Sequence, residues 1–518
     1  MDPFPRLPPE ICIMIMVNIE SQTSIMDLIH ASPVMCSQYI GNKKSIIRQI
    51  LANIMSGRLN EDILQDALGI LHFPSHSYDN HLLIRHHVVQ WIAKGIPDPF
   101  SQSQPQSLDE DNTISKVHCI FSRTILFIED YVSKATDAFP PRAYLALPPV
   151  AAGGDRLFKG CSVGIKSVSF STLRSSEKSR FIAAFLKYEM LCKVYNPAVW
   201  NVIKGTRDAD LLLAKHDKLP ATELRALFCV REYVKAVYGG MFGHCQNAWL
   251  PGRPIISAPE ASTAGALLPR TKNKLLYPDT VYFDAVDYFK VMNDTGNGRL
   301  ADILPCLGLD LLAHLLTSFN ADANYGQYLK PWLSTLNQRL SPFYRTRNPL
   351  EHFFSRYEQS VSYDSAIFFR GLPDESCRKR TSIIAQHKQL PRYMRNDRDP
   401  ATLQQNQHEL QLKIYRQRAW GVFDDTRLYP DTALHFPSMD NLDEQRAAGT
   451  SISPHHERAR RRSQDWQDWY SGRSIETPLE KVKEEPLVGG LVGDDETRLP
   501  RFFNKNLVIR QWYLAGPD

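Results

Sequence analysis

Five of the chain's 16 histidines, His72, His76, His81, His86 and His87, fall within sixteen consecutive residues. Such a density of imidazole would suit zinc if pairs spaced i,i+4 shared a helix face with a third ligand beside them. The five lack that order and no cysteine stands nearby. Their spacing predicts a solvated loop leading into a helix with an ordinary histidine pair. A second stretch, Asn293-Asp294-Thr295-Gly296-Asn297-Gly298-Arg299-Leu300, sets a glycine at a sharp turn among polar side chains. Calcium needs several charged oxygens and a bidentate glutamate at the twelfth position. Here Asn293 opens the loop and Leu304 stands where that glutamate belongs, which predicts a plain helix–helix turn. Gly239, Gly240 and Gly243 follow no predicted strand and make no phosphate cradle. No GxSxG elbow, kinase signature set or Cys–His arrangement occurs. The expectation is a protein that is not an enzyme and uses no cofactor and no metal.

Two features near the C-terminus carry a different chemistry. Arg458, Arg460, Arg461 and Arg462 form a basic cluster suited to nuclear import, to an acidic partner, or to a solvated linker. Val482-Lys483-Glu484-Glu485 resembles the consensus for attaching a small ubiquitin-like modifier, which makes Lys483 a candidate modification site. Both lie in a polar stretch, 434–498, whose composition predicts a disordered linker. The segment 499–518 carries Phe502, Phe503, Leu507, Val508, Ile509, Trp512 and Tyr513 and is expected to fold back onto the body.

Composition narrows the classes further. An apolar fraction of 43% and a charged fraction of 23% are ordinary for a soluble chain with ample core. A net charge of +5 over 518 residues is too small to argue for nucleic acid. The nine cysteines are scattered singly with no CxxC pair, as expected of reduced thiols in cytoplasm or nucleus. The apolar run at 11–19 follows acidic Asp2 and Glu10 and is nine residues long. It suits neither a signal peptide nor a membrane span, so no membrane partner is expected.

That run belongs to the most informative part of the chain. Leu7-Pro8-Pro9-Glu10 opens a helix with proline in the first turn, where its missing N–H costs nothing. Ile11, Ile15 and Ile19 recur every four residues, and Met14, Met16 and Val17 widen the stripe beyond what a surface helix needs. Ile25, Leu28 and Ile29 give a second short helix. Ser32 and Pro33 cap and start a third, with Val34, Met35, Tyr39 and Ile40, stopping at Gly41-Asn42. A fourth runs from Lys43 to Met55 with Ile46, Ile47, Ile50, Leu51 and Ile54. So short a set cannot bury itself alone.

Residues 7–47 resemble an F-box, in the variant common among fungal proteins. The matching positions are Leu7, Pro8, Glu10, Ile11, Ile15, Ile19, Ile25, Leu28, Ala31-Ser32-Pro33 and Tyr39, the last standing where many members have tryptophan. The resemblance implies helices that pack on a Skp-type linker protein and through it a cullin. It also implies a role in holding a protein substrate near the ubiquitin-transfer machinery. The linker-contacting residues it points to are Leu7, Pro8, Ile11, Ile15, Ile19, Ile25 and Leu28. The alternative is a non-catalytic helical scaffold or nuclear regulator whose N-terminal helices are structural only.

The remainder is predicted to be mainly α. An F-box-like domain at 1–56 precedes a large irregular helical body at 57–433, the candidate substrate-recognition domain, with long loops near 97–112 and 140–168. Its clearest helix has Ser176 as cap and Glu177 in the first turn, with Phe181, Phe185, Tyr188, Leu191 and Tyr195 along one face. A partner helix from Thr222 carries Leu224, Leu227, Val230, Val234 and Val237 and is expected to stop at Gly239-Gly240. Further helices are expected over 279–292 and 301–319. No repeat of 20–50 residues is found, so leucine-rich or propeller substrate readers are not supported.

Overall fold

A computed structural model describes residues 2–19, 22–55, 60–74, 80–100, 108–150, 156–253, 274–290, 300–321, 348–362, 400–448, 454–475 and 477–478. The chain is mainly helical, with one two-stranded hairpin among the described residues.

Three helices form the N-terminal bundle: α1 (Pro9–Asn18), α2 (Gln22–Ala31) and α3 (Pro33–Ile54). Ser32 caps α3 by accepting the Met35 N–H at 3.1 Å. The predicted stop at Gly41-Asn42 is instead a kink. Asn42 leaves helical geometry (φ −121°, ψ 15°) while its side chain donates back to the Gln38 carbonyl at 3.1 Å, and the helix runs on. The continuation gives the second half of α3 two apolar faces. Ile46 and Ile50 enter a small core with Cys12, Met16, Val17, Ile25, Ile29, Met35 and Tyr39. Ile47 and Leu51, one position further round, enter the large core of the body.

The body continues with α4 (Asn60–Leu71), α5 (His81–Ile92), α6 (Leu108–Ala135) and α7 (Pro140–Ala143). Strands β1 (Leu157–Phe158) and β2 (Cys161–Ser162) then pair antiparallel. Lys159 and Gly160 turn between them, both at positive φ, as a two-residue hairpin requires. Next come α8 (Ser175–Val194), α9 (Pro197–Ile203), α10 (Arg207–Asp217), α11 (Ala221–Cys245), α12 (Ala285–Lys290), α13 (Leu300–Ile303) and α14 (Gly308–Ala321). The described helices end with α15 (Pro349–Ser362), α16 (Pro400–Gln417), α17 (Thr432–His435), α18 (Met439–Ala448), α19 (Pro454–Arg462) and α20 (Gln464–Tyr470).

The body is organised around α11, of whose 25 residues 18 are buried. It is packed by α8, α12, α15, α16 and the 3-10 turn Leu304–Leu307. Gly239 and Gly240 do not end it. A Cβ on Gly239 would lie 2.7 Å from that of Ala285, and one on Gly240 would lie 2.4 Å from the Tyr144 carbonyl oxygen. The missing side chains are spent on close approach by α12 and the chain after α7, not on a left-handed cap. At the heart of the core, Lys134 and Asp130 form an ion pair at 2.6 Å with both side chains fully buried. Asp130 also accepts the Tyr233 hydroxyl at 2.9 Å, and Tyr233 stacks on Tyr131.

Other expectations need correction. The N-cap of α8 is Arg174, whose N–H is taken by Glu177 at 2.9 Å, while Ser176 donates to Asp424 at 2.5 Å. The loops expected near 97–112 and 140–168 are shortened by α6, which begins at Leu108, and by α7 and the hairpin. Within 434–498, read as a disordered linker, α18, α19 and α20 are helices, and Phe436, Met439 and Leu442 are buried. Three apolar residues spaced by three seat its first part, and Arg458 and Arg462 pair α19 with Asp279 and Asp287. Among the described residues, Ala301–Phe319 is long and apolar enough to cross a membrane. Two thirds of it (67%) is buried in the core, and the chain breaks there at Leu304–Leu307 and Gly308 (φ 88°). The loop 293–299, Lys483 and the segment 499–518 lie outside the described residues.

The two kinds of helical glycine are expected to respond oppositely to alanine. Gly240→Ala must push the Tyr144 backbone aside and is expected to cost about 2 kcal/mol or more. Gly41→Ala, with nothing within 4 Å of the new Cβ, is expected to gain up to about 1 kcal/mol. Denaturant midpoints of the two variants check both signs.

Candidate docking face

The bundle turns α1 with its apolar residues on both sides. Cys12, Met16 and Val17 point into the small core. The helical period then carries Ile11, Met14 and Asn18 to the opposite face, with Leu7 and Pro8 leading into it. Leu7, Ile11 and Met14 are 37%, 39% and 57% exposed. An apolar stripe on the solvent side of a helix whose other side is fully packed is not explained by the bundle's own core.

The seven residues expected to meet a partner separate on this geometry. Leu7, Pro8 and Ile11 are exposed. Ile15, Ile19 and Leu28 are half-buried and pack against the small core. Ile25 is 1% exposed and packs inside the small core, where it helps hold the helices together. Met14 and Ile40, 57% and 71% exposed, are surface residues that spacing by fours did not single out. The signal for Met14 was present in the 7–11–14 period, masked by isoleucines on every side.

Polar contacts fix how the face is presented. The Asp2 carboxylate accepts the Phe4 N–H at 2.9 Å, the Ser32 hydroxyl at 2.7 Å and the Val34 N–H at 3.5 Å. The Phe4 contact above all holds the Asp2 carboxyl below the usual carboxylate range. This ties the chain entering α1 to the start of α3. At the other end, Asn53 on α3 donates to the Val17 carbonyl at 3.3 Å. Both ends of α1 are thereby pinned to one helix.

The histidine run is dispersed by the fold. His87 is buried, lies 2.9 Å from the Gly69 carbonyl and meets Phe73 edge-on, and burial lowers its pKa. His72, His81 and His86 are exposed, and His76 lies outside the described residues. Among the described residues no group of three ligands could hold a metal ion. A cleft between α4, α8 and the start of α11, about 520 Å³ with the solvent at its mouth, is lined by Ile63, Asp66, Ala183, Lys187, Glu223 and Leu227. Its charges join helices: Asp66 accepts the Trp91 indole N–H at 2.8 Å, and Lys187 pairs with Glu223 at 3.0 Å. Burial pushes the Asp66 carboxyl upward. The described cysteines are all free thiols.

No family model, curated protein or solved structure matches this chain. Its function is therefore argued from its own residues.

The two methionines of α1 separate packing from surface. Met16→Ala is expected to destabilise the bundle by about 2–5 kcal/mol, as deletions in a packed core do. Met14→Ala is expected to change stability by less than about 0.5 kcal/mol. Thermal unfolding followed by circular dichroism distinguishes them.

Proposed function

We propose that the face formed by Leu7, Pro8, Ile11 and Met14 docks a Skp-type linker protein, and that the chain is a substrate-recruiting F-box subunit of a cullin-based ubiquitin ligase. The observation that carries this reading is the outward apolar stripe of α1 on a bundle whose own core is already filled by Cys12, Met16 and Val17. The resemblance of residues 7–47 to an F-box supports it. The role is one of proximity: the body holds a protein substrate and the bundle holds the ligase, with no chemical step performed by this chain. A rigid helix with exposed isoleucine, leucine and methionine provides the apolar anchors around which interface energy concentrates.

A second reading, a helical scaffold whose bundle is only structural, draws on a specific feature. Ile47 and Leu51 root α3 in the large core, so the bundle is built into the body.

Binding of a purified Skp-type linker separates the two. Leu7→Ala with Pro8→Ala, and separately Ile11→Asp, are expected to weaken binding by about 2 kcal/mol or more, roughly thirtyfold in Kd. Unchanged unfolding transitions would show that both variants fold. Unaltered linker binding by folded variants, or no binding by the wild type, would leave the scaffold reading in place.

A further inference from the structure

The cleft between α4, α8 and the start of α11 exists because small residues face one another there. Arg180, Ala183, Ala184 and Lys187 share one face of α8, spaced by three and four. Alanines hold the middle of that face, and Ala226 stands among the residues of α11 that line the same space. Three methyl groups do not fill the gap between three helices, so an apolar floor completed by Ile63 and Leu227 stays open to solvent at its mouth. The charges at its edges are matched: Lys187 with Glu223 at 3.0 Å, Lys94 with Asp62 at 2.8 Å, and Arg180 with Asp424.

One polar group in this lining is left incomplete. Asp66 is 4% exposed, and its Oδ1 accepts the Trp91 indole N–H at 2.8 Å. Its Oδ2 accepts no hydrogen bond among the described residues, and it is not sealed in protein as the unpaired atoms of the core are. Since Asp66 lines the cleft, Oδ2 is the atom it offers there. A carboxylate oxygen in so confined a place gains from a fixed donor. The surrounding charge decides which donor. Lys187 and Lys215 act on the carboxylate from α8 and α10, and Asp62 acts on it from its own helix. Lys215 also lies over the Trp91 ring, at 4.3 Å from its centre. An incoming cation would meet two ammonium groups, whereas a neutral N–H meets no such opposition. Trp91 already shows the pairing, a flat apolar ring with one N–H on this same carboxyl group.

We propose that this cleft binds an indole group, whose N–H donates to Asp66 Oδ2 while its ring rests on the floor formed by Ile63, Ala183 and Leu227. The floor supplies apolar contact and the single acceptor fixes orientation, the usual division of labour in a small-ligand site. A free indole compound and a tryptophan side chain of a bound protein segment share this chemistry, and the test separates them. The site lies on the body and does not depend on what the α1 face binds.

Ligand-observed NMR titration of the full chain tests the site. It is run at about pH 8.5, because burial pushes the Asp66 carboxyl upward and alkaline pH favours the acceptor. Indole is expected to bind about tenfold more tightly than benzofuran, the isosteric ring with oxygen in place of N–H. Asp66→Asn keeps an acceptor for Trp91 and turns an amide N–H toward the cleft, so that preference is expected to vanish. Ala183→Leu fills the cleft and is expected to abolish binding of both rings. Equal affinity of the wild type for indole and benzofuran, or no binding of either, would overturn the proposal. So would an unchanged preference in folded Asp66→Asn, or unchanged indole binding by folded Ala183→Leu. Should one variant not fold, the other decides together with the wild-type comparison. The peptide Gly-Ser-Trp-Ser-Gly identifies the source. Competition with indole assigns the site to a tryptophan side chain, and indole binding without competition assigns it to a free small molecule.

Discussion

Everything in the body follows from the need to cover α11. A helix with 18 of 25 residues buried has no solvent face to orient it, so it must be surrounded. The surrounding helices take up that task, and each meets it through side chains suited to its own distance. Where α12 and the chain after α7 come closest, glycine removes the obstacle. Where a gap would remain, aromatic rings fill it: Tyr233 lies against Phe127, Tyr131 and Phe185. The buried Lys134–Asp130 pair sits among these rings and is satisfied in part by the Tyr233 hydroxyl. Such a pair adds little net stability, but breaking it leaves a bare charge in a dry core. Both partners lie on α6, and the Tyr233 hydroxyl on Asp130 is what ties α11 to the pair.

Sequence patterns showed the helical class plainly, because apolar periodicity of 3.6 recurs along most of the chain. The helix over 175–194 and its partner from 221 were legible through Phe181, Phe185 and Tyr188, and through Leu224, Leu227 and Val234. The far end of the second was not. Gly239-Gly240 has the composition of a cap, and only the neighbours Ala285 and Tyr144, distant in sequence, explain why the helix runs through it. Asn42 shows the same ambiguity, since a residue that favours stops also tolerates a kink. The segment after 434 was obscured for another reason. Its contacts with the body include Phe436, Leu442 and the arginines of α19, and averages over a window do not register a few specific anchors.

On the candidate face, the residue types were legible but the direction in which they point was not. A run such as Ile11-Cys12-Ile13-Met14-Ile15-Met16-Val17 is apolar on all sides, so no period within it marks inside from outside. The division is made by α3, through Ile46 and Ile50, and by the polar ties of Asp2 and Asn53. Ile25, which resembled its neighbours in sequence, is drawn inward by that same packing.

The doubly apolar second half of α3 has a mechanical meaning. Because Ile46 and Ile50 belong to one core and Ile47 and Leu51 to the other, the two cores share a wall instead of a hinge. A molecule held at α1 is therefore carried on a bracket, at a fixed offset from the body and in one orientation. A flexible tether would set local concentration by its length. On the proposed reading, a partner docked on α1 would have its reach set by direction, and a target on the wrong side of the body would gain nothing from the attachment.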